Sequence, residues 1–139
     1  MLFQSNVPIT TIRSIDIDPH CEHIANEMNR LEFNDRRFKA ITGDMVNVRS
    51  DADIIINTST EHITQNEYEL WLSGLPQNST IVVQSNNFFE CEGHINCKNN
   101  LQEFIDSSGL TVNYAGELKL AKYTRFMIIG TKTNDQLSS

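Results

Sequence analysis

Short runs of β-branched and apolar residues alternate along this chain with segments whose apolar residues recur at helical spacing. That alternation restricts the fold class to α/β. Residues 10–18 (TTIRSIDID) read as a strand that stops at Pro19. Beyond it Cys21, Ile24, Ala25, Met28 and Leu31 share one helical face, with Asp18 as N-cap, Pro19 at the first helical position and Glu22 in the first turn. Phe38–Thr42 is a second strand, closed by Gly43-Asp44. Ala52–Asn57 is a third, and its Ile54-Ile55-Ile56 run predicts burial on both faces. Thr64 caps a helix through Tyr68, Leu70, Trp71 and Leu72 that Gly74 and Pro76 end, with Trp71 in the core. Thr80–Gln84 is a fourth strand. A polar loop runs from Ser85 to Asn100, and a short helix, Leu101–Ile105, is stopped by Gly109. Thr111–Leu120 and Thr124–Gly130 close as an antiparallel hairpin.

The expected order is β-α-β-(α)-β-α-β-α-β-β, a mostly parallel sheet with helices on its faces and a C-terminal antiparallel hairpin. A length of 139 residues predicts a single domain, with its core over 9–130 and a frayed polar tail over 131–139. In open sheets of this kind ligands bind beyond the carboxyl ends of the strands. The segments to watch are therefore Asp16–Pro19, Gly43–Met45, Asn57–His62 and Ser85–Phe89.

A net charge of −7 weighs against broad nucleic-acid binding. No apolar stretch approaches the roughly 18 residues of a membrane span, and the N-terminus lacks the pattern of a signal peptide. Three cysteines, an odd number, fit a reducing cytoplasm.

Asp16 ends the first strand just before a helix, where a carboxylate can accept from two adjacent ribose hydroxyls. Asp44 follows the second strand and can accept from an exocyclic amine while Met45 packs on an adenine face. Capping a helix or closing a turn is the simpler role for such acids, and Asp18 is best read that way. Asn57 offers an amide to an amino group. His62 can take a proton from a nucleophile and Glu61 can orient it, against the plainer reading of a hydrogen-bonded polar segment. The Ser85–Asn100 loop reads as a lid that turns Asn86, Asn87, Phe88 and His94 toward a substrate. Tyr123 and Arg125 sit at the final hairpin, where stacking or ion pairing with substrate competes with simple solvation. Cys91, His94 and Cys97 have the spacing of three soft ligands but lack the fourth ligand and paired C-x2-C of a structural zinc site, so no metal is expected there. Arg36-Arg37-Phe38-Lys39 is a basic cluster best read as a solvated turn.

Together these elements resemble the class I S-adenosylmethionine-dependent methyltransferases. Residues 14–19 (SIDIDP) resemble that family's second motif, residues 38–45 (FKAITGDM) its third, and residues 53–62 (DIIINTSTEH) its fourth. Residues 57–63 (NTSTEHI), 84–89 (QSNNFF) and 123–127 (YTRFM) are similar to a group of uncharacterised methyltransferase-like proteins of tailed phages and marine microbes. The resemblance implies a Rossmann-like methyltransferase fold and S-adenosylmethionine as cofactor, held by Asp16, Ile17, Asp44, Met45 and Asn57. It places Asn57, Glu61 and His62 toward an unidentified methyl acceptor, small or macromolecular. The Asn-Pro-Pro-aromatic motif of amino-directed nucleic-acid methyltransferases is not present.

The family's Gly-rich loop precedes its second motif by roughly 20 residues. Here residues 1–8 hold no glycine and the chain contains no G-x-G, so the first strand and its loop are expected to be missing, in a fragment or in a reduced protein. Such a loss leaves a gap in the sheet, to be closed by direct pairing of the neighbouring strands or by a second copy of the chain. Two other readings stay open: a non-catalytic binding or assembly module that keeps the fold, and a nicotinamide-dinucleotide enzyme, whose glycine fingerprint is equally lacking.

Overall fold

The computed structural model describes residues 2–133. The chain forms two compact units, Met1–Val48 and Arg49–Ser139.

In the first unit β1 (Ile12–Asp16) leads into α1 (Pro19–Met28), α2 (Arg30–Asn34) and β2 (Phe38–Thr42). β1 and β2 pair in parallel, from Ile12 opposite Phe38 to Asp16 opposite Thr42. Asp18 caps α1 as expected: its carboxylate accepts from the His20 N–H at 2.9 Å and Pro19 holds the first position. That bond and the His20 ring hold the Asp18 carboxyl below its usual range. The helix breaks at Asn29, whose side-chain amide donates to the Ala25 carbonyl at 2.8 Å. The α1 side chains Asn26 and Glu22 accept from the N–H groups of Ala40 (2.9 Å) and Thr42 (3.0 Å), which satisfies β2 along a free edge.

The residues that share one helical spacing are bare in this unit: Ile24, Met28 and Leu31 are exposed, and no residue of α1 is buried. The optional helix after β2 does not form. Asp44 instead starts a turn, with its carboxylate accepting from Val46 N–H at 3.0 Å and its carbonyl from Asn47 N–H at 2.9 Å.

The second unit runs β3 (Ile54–Asn57), a 3-10 turn (Thr60–His62), α3 (Gln65–Ser73), β4 (Thr80–Asn86), α4 (Leu101–Ser107), β5 (Leu110–Lys119) and β6 (Thr124–Lys132). Its sheet has the order β3-β4-β6-β5. β3 and β4 are parallel, whereas β6 is antiparallel to both β4 and β5. The final hairpin is therefore as expected, and β6 extends two residues further, to Lys132. Of the expected tail, 134–139 lies outside the described residues. Ile81, Val83, Phe126 and Ile128 form the fully buried centre, flanked by Tyr68, Trp71 and Leu72 of α3 and Phe104 of α4. The Tyr68 hydroxyl donates to the Ser108 carbonyl and so ties α3 to the end of α4.

β3 departs from its expected burial: Ile54 is 49% exposed and Ile56 46%. It is an edge strand, paired with β4 alone. β1 and β2 form one sheet, and β3 belongs to the other.

α3 begins with a full capping box, in which the Thr64 hydroxyl accepts from Glu67 N–H and the Glu67 carboxylate accepts from Thr64 N–H. Replacing Thr64 by Ala is expected to cost about 1 kcal/mol, read as a lower urea midpoint with an unchanged slope.

Candidate functional site

The first unit presents two acids at neighbouring strand ends. Asp16 closes β1, and its Oδ1 accepts from Asp18 N–H at 2.9 Å. Its carbonyl accepts from Gly43 N–H at 2.9 Å, which joins the ends of β1 and β2. Asp44 follows immediately, and both carboxylates are exposed. Each is oriented by a backbone N–H two residues on, through one oxygen. Ile17 is exposed and Met45 half-buried beside them. Partial burial, then the charges of Asp16 and Asp18, push the Cys21 thiol up, which disfavours a reactive thiolate there.

The second unit gathers a different set of groups. Asn57 ends β3, with its Oδ1 accepting from Ser59 N–H at 3.0 Å. The 3-10 turn that follows is anchored by the Thr60 hydroxyl, which donates to the Gln84 carbonyl at 2.7 Å. This anchor turns Glu61 inward, where it is only 4% exposed, and leaves His62 at the surface. Glu61 is held at both ends. Its carbonyl accepts from Ile95 N–H (2.9 Å) and Asn96 N–H (3.0 Å) of the long loop. Its Oε1 accepts from the Asn86 amide at 3.2 Å, whereas Oε2 is buried and has no hydrogen-bond partner.

The loop bonds bring His94 to the same place. The rings of His62 and His94 meet edge-on at 4.7 Å. His62 Nδ1 lies 3.0 Å from the Gly93 carbonyl and His94 Nδ1 2.8 Å from the Phe88 carbonyl. A carbonyl only accepts, so each Nδ1 carries a proton, and in the neutral ring this leaves the lone pair on Nε2. His62 Nε2 lies 3.8 Å from Glu61 Oε1. One donor atom from each of Glu61, His62 and His94 fits within a 4.8 Å cluster. Gly93 makes its contact from φ +83°, a conformation that L side chains rarely adopt.

The loop residues divide into distinct roles. Asn86 is 1% exposed, so it does not face a substrate as expected. Its amide holds Glu61, its Oδ1 accepts from Phe88 N–H at 3.0 Å, and its carbonyl accepts from Lys98 N–H at 3.0 Å. Asn87 clamps the start of β6 through Thr124, with bonds of 2.7 and 3.2 Å. Phe88 stacks on Tyr123 at 4.9 Å, and Arg125 donates to the Gln84 side chain at 3.0 Å. With its backbone bonded to Glu61, Asn86 and Thr124, the loop is fastened to the strand ends rather than free-standing.

Of Cys91, His94 and Cys97, His94 joins Glu61 and His62, while Cys97 Sγ lies 3.6 Å from His94 Nδ1. Cys97 donates to Asn86 Oδ1 at 3.3 Å, and its thiol is pushed up by burial and then by the Glu61 charge. No local sequence pattern marks Lys98. It is buried, donates to Gln65 (3.2 Å) and Asn96 (3.0 Å), and its ammonium is pushed down by desolvation.

No family model matches the sequence, and neither does any curated protein. Solved structures do match. The mitomycin 7-O-methyltransferase MmcR aligns over 87% of this chain and 42% of its own, with a TM-score of 0.62 and 14% identity. Magnesium protoporphyrin IX methyltransferase (ChlM) from Synechocystis PCC 6803 with bound SAH aligns over 88% and 64%, at 0.66 and 11%. The N-methyltransferase NodS from Bradyrhizobium japonicum WM9, in complex with SAH, aligns over 89% and 67%, at 0.65 and 12%. The chain thus spans about two fifths of the length of MmcR and about two thirds of the other two. These likenesses show the fold: α/β, a mixed sheet with helices, matching the Rossmann-like fold of methyltransferases. Among the described residues no helix is long and apolar enough to cross a membrane.

Proposed function

We propose that this chain is a methyltransferase domain, or part of one, that takes S-adenosylmethionine through its first unit. The observation that carries the reading is the pair Asp16 and Asp44. They are exposed carboxylates at the ends of adjacent parallel strands, each preset by a backbone N–H. That donor set suits a nucleoside, with Asp16 toward the ribose hydroxyls and Asp44 toward the adenine amine, and Ile17 and Met45 as apolar surface. The solved structures of this fold that carry SAH support the same cofactor.

The cofactor, when bound, supplies an activated methyl group. Methyl transfer needs the acceptor's N or O in line with that carbon at about 3 Å, so positioning carries most of the rate. Within the second unit Asn57 and His62 are the residues suited to an acceptor, with Tyr123 and Arg125 on the final hairpin. A cytoplasmic protein, with origin among phages or marine microbes, belongs to the same reading.

The test is calorimetric titration of the chain with S-adenosylhomocysteine. Binding is expected, and Asp16→Ala should weaken it by roughly 10–100-fold, the worth of about 1.5–3 kcal/mol for a bond to a charged group. A folded chain that gives no heat at millimolar ligand overturns the reading and favours a binding or assembly module.

A further inference from the structure

We propose that Glu61, His62 and His94 form a three-ligand site for a divalent transition-metal ion of the zinc class. The inference rests on the second unit alone and does not depend on cofactor binding by residues 1–48.

Three independent features point to a cation. The first is chemical type: two neutral imidazoles and one carboxylate are the donor set of open zinc sites, which leave a position for water or a ligand atom. Oxygen-seeking ions such as Mg2+ or Ca2+ would want carboxylates and carbonyls instead. The second is the fixed tautomer. Each histidine gives its Nδ1 proton to a main-chain carbonyl, Gly93 O at 3.0 Å or Phe88 O at 2.8 Å. Histidine ligands of metals are oriented in this way, with the remaining nitrogen left basic. The third is the carboxylate. Glu61 is 4% exposed, its Oε1 is held by Asn86, and its Oε2 is buried without a partner. Buried charges are ordinarily paired or bound to metal.

A ring nitrogen of each histidine and a Glu61 carboxylate oxygen lie within 4.8 Å of one another, and His62 Nε2 stands 3.8 Å from Glu61 Oε1. Tetrahedral donors at about 2.0–2.2 Å from zinc stand roughly 3.4 Å apart, so loading draws them inward by about an ångström. His62 is exposed, so its ring can supply that movement while keeping its bond to the Gly93 carbonyl. Gly93 is a positioning residue: its φ of +83° aims its carbonyl at His62. The plain alternative is a hydrogen-bonded cluster that only pins the loop.

The experiment is titration of the full chain with Zn2+ by calorimetry and with Co2+ by visible spectroscopy. We expect one Zn2+ per chain and the d–d bands of low-coordinate Co2+ without a thiolate charge-transfer band. Glu61→Gln keeps an acceptor for Asn86 and should weaken Zn2+ binding on the order of 100-fold or more; Gly93→Ala should weaken it roughly 10–100-fold. His62→Gln, at an exposed position, supplies the same result if the buried variant fails to fold. His20→Gln with His23→Gln should leave binding unchanged. Absence of binding to the folded chain, binding that survives both Glu61→Gln and His62→Gln, loss through the His20 and His23 pair, or a thiolate band each overturns the proposal.

Discussion

Asn86→Asp is expected to destabilise the second unit by about 3–5 kcal/mol at neutral pH, the cost of leaving a buried charge uncompensated. The substitution is nearly isosteric but removes the amide that donates to Glu61 Oε1 at 3.2 Å. A carboxylate then faces a carboxylate, both inside the protein, because residue 86 is 1% exposed and Glu61 4%. The acceptor side of residue 86 survives, so the bonds from Phe88 N–H and the Cys97 thiol remain. The effect thus isolates the contact with Glu61. Its sign with pH follows from linkage. In the variant the folded state holds a proton that the unfolded chain releases near the ordinary carboxylate range. Stability is therefore expected to fall as pH rises from acid to neutral. Urea unfolding at several pH values checks this, and a variant as stable as the parent at neutral pH would refute the assigned role of Asn86.

Gly130→Ala should cost about 3 kcal/mol or more, at the upper end of overpacking effects. The reason is a close approach of two backbones. A methyl at residue 130 would collide with the Thr111 carbonyl oxygen and lie 3.1 Å from the carbon and 3.2 Å from Val112 Cα. Here β5 shifts register, between Val112 and Tyr114, and Gly130 pairs with both Ile81 and Val112. Strand backbone on each side leaves no flexible side chain to yield. Trp71 is the chain's single tryptophan and is buried in this unit, so its fluorescence reports the loss directly. A shift under about 1 kcal/mol would show that β5 can move aside.

Local chemistry carried most of the secondary structure. The N-caps Asp18 and Thr64, the strand Phe38–Thr42 and the closing hairpin all follow from neighbours in sequence, and the structure forms them where the residues indicate. The misses are of another kind. Periodicity shows which residues share a face but not whether anything covers it. Ile24 and Met28, and likewise Ile54 and Ile56, have core-like spacing yet remain exposed. The break at Asn29 and the turn at Asp44 arise when one polar side chain bonds the nearby backbone, a competition that apolar spacing does not register. The candidate site was legible in parts: Glu61, His62, Asn86 and His94 were each singled out. Their convergence was not, because two loop N–H groups donating to the Glu61 carbonyl bring His94 back across 32 residues, from 62 to 94. Gly93 left no signal beyond being one of six scattered glycines.

Glu61 links two events that seem separate. Its carbonyl fastens the loop at Ile95 and Asn96, while its carboxylate lies in the histidine cluster. Loop docking and cluster occupancy thus share a single residue as their joint, and coupling through a joint is reciprocal. An occupant that prefers the docked geometry steadies the loop by the same free energy with which the docked loop favours the occupant. Phe88 bonds His94 through its carbonyl and stacks on Tyr123 at the tip of the β5–β6 hairpin. The loop's degree of order is therefore a gauge of what the carboxylate holds.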